Sequence, residues 1–138
     1  MLGVQVHVVS ATTDNEIDDA FASLANLGAG GLVMGSDPFF SSRSERLALL
    51  SLRYGVPAVY QRLEFAMAGG LMSYGADLRD SYRLAGIYTG RVLKGEKPAD
   101  LPVQQSTKVE LYINLKTAKT LGINIPLPLS GPANELIE

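Results

Sequence analysis

Gly31-Leu32-Val33-Met34, the turn Gly35-Ser36-Asp37-Pro38-Phe39-Phe40, and the later run Gly55-Val56-Pro57-Ala58-Val59-Tyr60 are the residues on which the fold turns. The first four are apolar and bounded by turn formers, the pattern of a buried parallel strand. Ser42 stands three residues before Glu45, a capping-box spacing. It predicts a helix running to about Tyr54, with Leu47, Leu50 and Tyr54 facing inward. Gly55 and Pro57 close that helix, and residues 58–60 read as the next strand. Strand, helix and strand joined by short connections make a parallel unit of an α/β sheet.

The same alternation extends both ways from this stretch. Upstream, Val4-Gln5-Val6-His7-Val8-Val9 is rich in β-branched residues and reads as the first strand. Thr13 and Glu16 form a second capping box, and Ile17, Ala20, Phe21, Leu24 and Leu27 follow at helical spacing until Gly28. Downstream comes a helical turn over residues 63–67, then Gly69-Gly70 and a strand, Leu71-Met72-Ser73-Tyr74. From Asp80 the pattern is helical again, with Leu84, Ile87, Tyr88 and Val92 on one face, until Lys94-Gly95-Glu96-Lys97-Pro98. Residues 109–113 form a further strand, Val109, Leu111 and Ile113 alternating with Glu110 and Tyr112. Asn114 is placed to cap a helix over 115–121, and the proline-containing tail, 125–138, is expected on the surface or loose. The fold class expected is therefore α/β, a Rossmann-like parallel sheet flanked by helices. In such sheets ligands bind outside the carboxyl ends of the strands, here residues 10–13, 36–40, 60–65 and 74–77.

Bulk composition narrows the function classes. The 138 residues fit one domain, and 46% hydrophobic with 19% charged residues is ordinary for a folded chain. The formal net charge is −2, and no stretch concentrates Lys and Arg among aromatics, so nucleic acid is not an expected partner. No apolar run approaches the roughly 20 residues that span a bilayer. Met1-Leu2-Gly3-Val4 lacks a basic start and apolar core, so no signal peptide is expected in this chain. Without cysteine there is no disulfide and no thiolate metal site.

Enzyme motifs are missing where enzymes need them. Gly28-Ala29-Gly30-Gly31 follows a helix and precedes a strand, the reverse of a phosphate loop, and reads as a helix C-cap. His7 is the only histidine and lies inside a predicted strand without acidic neighbours, so neither a metal site nor a hydrolase triad is expected. No Gly-x-Ser-x-Gly elbow occurs, and the first and third strands end in Ser10 and Tyr60-Gln61 rather than an acidic cluster. The expectation is no enzyme, no cofactor and no metal.

Three groups admit a binding role. Asp37 follows a strand and precedes Pro38, Phe39 and Phe40; it is either a turn residue or a carboxylate anchor for a ligand amine beside an aromatic. Tyr60, Glu64 and Phe65 are either core or ligand contacts. Ser73-Tyr74-Gly75 ends a strand, and Gly75 serves either a hinge or a plain turn.

Several of these stretches together carry a resemblance. They are Asp37-Pro38-Phe39-Phe40 with Arg43 and Arg46, residues 55–60, Glu64-Phe65 with residues 69–75, residues 93–103, and Ile113-Asn114-Leu115-Lys116-Thr117-Ala118-Lys119. In this order and spacing the chain resembles the C-terminal half of ABC transporter substrate-binding proteins related to tryptophan- and tyrosine-uptake receptors. The resemblance implies a type I periplasmic-binding-protein fold, in which two lobes close on a ligand. It implies that residues 1–76 are the core of the second lobe and 77–102 a helix returning to a missing first lobe. Residues 103–125 would be a strand and helix coming back to the second lobe, and 126–138 a tail. It further implies second-lobe contacts from Asp37, Phe39, Tyr60, Glu64, Ser73 and Tyr74 to a small organic solute such as an aromatic amino acid. An ABC permease partner in full-length relatives and an extracytoplasmic location follow from the same likeness. Without the first lobe, the face of Leu84, Ile87, Tyr88 and Val92 is expected to drive self-association. The rival readings are a ligand-sensing regulatory domain of similar fold and a truncated product without independent function.

Overall fold

A computed structural model describes residues 3–105 and 107–138; the signal-peptide reading at Met1 and Leu2 lies outside them. Five strands lie in the order β1-β2-β3-β4-β5. They are β1 (Leu32–Val33), β2 (Ala58–Tyr60), β3 (Met72–Ala76), β4 (Val109–Asn114) and β5 (Glu135–Ile137). β1, β2 and β3 run parallel, β4 is antiparallel to β3, and β5 is parallel to β4. The α/β sheet is therefore mostly parallel, with one antiparallel pair where the chain comes back after a long excursion.

The connecting helices follow the sequence pattern with instructive exceptions. Helix α1 (Asp14–Asn26) is capped by Thr13, whose hydroxyl accepts the Glu16 N–H at 3.2 Å. The Glu16 carboxylate reaches back to the Thr12 N–H and hydroxyl at 2.6 and 2.8 Å, one residue earlier than a capping box requires. The other predicted box is corrected. Asp37 caps a separate short helix, α2 (Pro38–Ser41), accepting the Phe39 N–H at 2.7 Å with Pro38 at its first position. Helix α3 (Ser44–Arg53) then starts with no side-chain cap, and the Ser42 hydroxyl donates to the Phe39 carbonyl instead.

After α4 (Leu63–Met67), the strand predicted at 71–74 sits one to two residues later, and α5 (Leu78–Leu93) begins earlier than Asp80. Asp77 is its cap, taking the N–H groups of Arg79 and Asp80. Asn114 caps α6 (Leu115–Thr120) as expected, accepting the Thr117 N–H at 2.9 Å. The tail is not loose. After α7 (Leu127–Ser130), Asn134 exchanges hydrogen bonds with the Leu111 backbone and leads β5 onto β4.

Residues 4–9 are the main departure. They join no strand ladder, and Val4, Val6 and Val8 are 72%, 78% and 89% exposed. β-branched composition fits a pleated surface but cannot replace a partner strand. The residues beside β1 form only a small apolar groove of about 90 Å³, lined among others by Val9, Phe21 and Val33.

The core lies where α1, α3 and α4 pack on the sheet. Ile17, Phe21, Leu24, Met34, Leu47, Leu50, Val56, Ala58, Tyr60 and Phe65 form one buried cluster. Each large side chain so buried stabilises the fold by about 1.5–3 kcal/mol. Tyr54, expected inward, is 38% exposed, with its ring tilted by 37° against Phe21 at 6.0 Å between centroids. Ion pairs from Arg43 to Asp14 and from Arg46 to Asp18 tie α3 to α1 at the rim. By contrast, no residue of α5 is buried, although it runs for 16 residues. Its end is fastened to the following turn by an Arg91–Glu96 ion pair and by the Tyr88 hydroxyl donating to Pro102.

Candidate functional site

An open cleft of about 1050 Å³ lies at the carboxyl ends of β1, β2 and β3, where ligands bind in sheets of this kind. Its floor is one face of the sheet. Ser73 pairs in register with Tyr112, and Tyr112 with Glu135, so all three share that face; Gly75 and Glu110 form the next row. One wall is the start of α4 with Gln61, Arg62 and Glu64. The other is the start of α5 with Asp77, Arg79 and Tyr82.

Gly75 makes this floor possible. Its backbone is not in the left-handed region and β3 continues through it to Ala76, so it is not a turn glycine. A Cβ there would lie 2.1 Å from the Gln61 carbonyl oxygen. The glycine lets the end of β2 press against β3.

Two predicted contacts reach the cleft. Glu64 lines it, paired with Arg62 at 2.6 Å, and that guanidinium holds its carboxyl below the usual range. Ser73 lines it as well; the residue is 2% exposed, and its hydroxyl has no hydrogen-bond partner among the described residues.

Four others lie elsewhere. Tyr60 is a core residue at 1% exposure. Its ring stacks on Phe65 at 4.5 Å and its hydroxyl shares a 2.7 Å hydrogen bond with Ser51. Burial pushes its phenol pKa up. Asp37 is occupied in capping α2, and Phe39 lies under the Arg43 guanidinium, 3.8 Å from the ring centre. Neither lines the cleft, although the adjacent Ser36 does. Tyr74 alternates with Ser73 onto the opposite face of the sheet and is 58% exposed.

Sequence reasoning missed much of the floor and the α5 wall. Glu110 and Tyr112 were legible as the polar half of an alternating strand, but nothing linked that half to a cleft. Glu135 carried no signal, because its place depends on β5 joining the sheet.

The polar groups of the floor are linked. Lys108 donates to Asp77 at 2.6 Å and lies 3.4 Å from Glu110, which accepts the Tyr112 hydroxyl at 3.0 Å. The hydrogen bond from Lys108 lowers the Asp77 pKa against the opposing effect of burial. Burial, followed by the bond to Glu110, raises that of Tyr112. Among the described residues no group of three or more His, Cys, Asp or Glu is placed to hold a metal. No helix among them is long and apolar enough to cross a membrane.

A mostly parallel sheet flanked by helices, with an open cleft at its strand ends, defines an α/β domain of the periplasmic-binding-protein-like kind. The chain belongs to the ABC transporter substrate binding protein family, whose profile matches residues 1–137. Among solved structures, an ABC domain from Streptococcus pneumoniae in complex with L-Trp is similar at 27% identity and a TM-score of 0.84. That match covers 98% of this chain and 46% of the other. A conserved domain protein of Vibrio cholerae O1 biovar El Tor aligns at 22% identity and TM-score 0.78, covering 88% of this chain and 41% of the other. A ligand-free, open substrate-binding protein with adhesive properties from Clostridium difficile aligns at 20% and 0.66, covering 92% and 42%. The last two likenesses bear on the fold alone. No curated protein gives a significant match. The chain spans less than half the length of each of these three structures. Substrate-binding proteins of ABC transporters are in general non-enzymatic and typically extracytoplasmic.

Proposed function

We propose that this chain is the solute-binding lobe of an ABC importer's receptor, taking a small organic molecule such as an aromatic amino acid in the cleft above β3 and β4. The observation that carries the reading is that cleft, found at the strand ends of a chain belonging to the substrate-binding family. The L-Trp complex of the similar Streptococcus pneumoniae domain supports an aromatic amino acid as the solute. Of the residues first singled out, Glu64 and Ser73 are the direct contacts, joined by Gln61, Arg62 and Tyr112. Tyr60 acts from below by holding α4 and β2 in place. Asp37, Phe39 and Tyr74 would join them only on movement of their segments.

The excursion over residues 77–102 belongs with the first lobe, the core of this chain being the second, and β3 and β4 are the crossing strands. An unburied α5 between two paired strands supports this. Its Leu84, Ile87, Tyr88 and Val92 face is where that lobe, or a second copy of the chain, would pack. The working place of such a receptor is outside the cytoplasmic membrane, with a permease as partner.

Thermal shift against a panel of amino acids tests the reading. A ligand at about 100 times its dissociation constant stabilises a folded protein by about 2.7 kcal/mol. A clear rise with an aromatic amino acid is expected. A folded sample that shifts with no member of the panel contradicts binding by this chain and favours a product without independent function.

A further inference from the structure

The cleft carries a charge imbalance that bears on which solutes it takes. Glu45, Glu64, Asp77, Glu110 and Glu135 line it, against Arg62 and Arg79. Counting Lys108, which pairs with the floor from outside, five carboxylates face three bases, a surplus of two negative charges. The whole chain has a formal net charge of only −2. The imbalance of 138 residues is thus matched within one concave surface, where low-dielectric walls focus the field.

The surplus is local as well. Arg62 is taken up by Glu64, and Lys108 is shared between Asp77 and Glu110. Glu135 has no salt bridge among the described residues, and it follows Tyr112 in the same row of the floor. Arg79 opposes this from the α5 wall as the one lining base without a salt bridge among those residues. An independent sign points to a ligand at the same place. Ser73 begins that row, nine-tenths and more buried, with a hydroxyl that has no partner among the described residues. Buried polar groups are normally hydrogen-bonded, so an orphan in a cleft floor marks where a partner is to be supplied.

We propose that the floor formed by Ser73, Tyr112, Glu110 and Glu135 is an amine subsite, selecting solutes that carry a protonated primary amine. An ammonium group has three N–H donors and no acceptor, which suits two carboxylates and a hydroxyl acceptor. Ser73 accepts one N–H, its own proton turning aside, while Glu110 and Glu135 take the charge. This rests on the solute-binding reading above and narrows it to a class of solute.

The test is amide-resolved NMR of the full chain, titrated with tryptamine and with indole-3-propionate, which share a ring and carry opposite charge. Tryptamine is expected to shift the Ser73, Gly75 and Tyr112 signals with at least tenfold tighter binding than the propionate. The preference should collapse in a Glu110→Gln, Glu135→Gln double variant and weaken in Ser73→Ala. Equal binding of the two probes, stronger binding of the propionate, or a preference that survives the double variant would overturn the subsite. L-tryptophan is the third arm. If it binds the cleft while the charged pair does not differ, the amine subsite fails and the solute-binding reading stands. If none of the three binds, both fail.

Discussion

Replacing Gly75 by alanine tests the geometry of the cleft floor, because only space forbids a side chain there. The added Cβ would sit 2.1 Å from the Gln61 carbonyl oxygen and 3.0 Å from its carbon. That is more than roughly 1 Å inside ordinary contact. The obstacle is backbone, so no rotamer change relieves it, and β2 must withdraw from β3. Overpacking of this kind costs about 1–3 kcal/mol, and a rigid obstacle places Gly75→Ala at the upper end. At about 2–4 °C per kcal/mol for a chain of this size, the melting temperature falls by about 6–12 °C. Circular dichroism melts and urea titration measure this, with the slope of the urea transition unchanged if the native and unfolded states keep their compactness. Gly86→Ala is the control of opposite sign. It lies inside α5 with nothing within 4 Å of its Cβ, so alanine should strengthen the helix by about 0.5–1 kcal/mol. A melting temperature for Gly75→Ala within about 2 °C of the parent would refute the packing argument.

Other substitutions read single interactions. Tyr60→Phe removes a hydroxyl bonded to Ser51, which keeps its bond to the Leu47 carbonyl; a loss of about 1 kcal/mol in urea unfolding is expected. Ser73→Ala deletes a buried hydroxyl that has no partner among the described residues, so stability should stay within about 0.5 kcal/mol or rise. Asp77→Asn keeps an N-cap but loses the charge paired with Lys108. Hydrogen exchange should then quicken in the first turns of α5 while β2 and β3 keep their protection. The Asp77 carboxyl is held below its ordinary value, so its stabilising contribution is complete above about pH 3.9 and is lost as pH falls through its lower folded value. Acid should therefore open the start of α5 in the parent, and Asp77→Asn should flatten that pH dependence.

The regular part of the fold was legible because it rests on local rules. Apolar spacing and the Thr13 and Asn114 caps placed α1 and α6, and short apolar runs placed β1 and β2. What failed depends on distant partners. Residues 4–9 have the composition of a strand and no ladder, while residues 135–137 look like tail and become one by pairing with β4. Asp37-Pro38 contained the signal for α2, since Asp before Pro is a cap followed by a first helical residue. The Ser42–Glu45 spacing drew the predicted cap to Ser42, five residues beyond Asp37. The candidate site was legible in its location, at the strand ends, more than in its residues. Aromatics were favoured as contacts, yet Tyr60 is needed by the core and Tyr74 alternates away from Ser73. The residues that give the floor its charge lie on β4 and β5, whose neighbours only the folded sheet decides.

The most direct test of solute binding in this cleft is an amide-resolved NMR titration of the full chain with L-tryptophan. Saturable shifts grouped at Arg62, Glu64, Ser73, Gly75 and Tyr112 are expected, with residues 17–24 of α1 unmoved. Shifts spread along the apolar face of α5, or none at all from a folded chain, would contradict solute binding there.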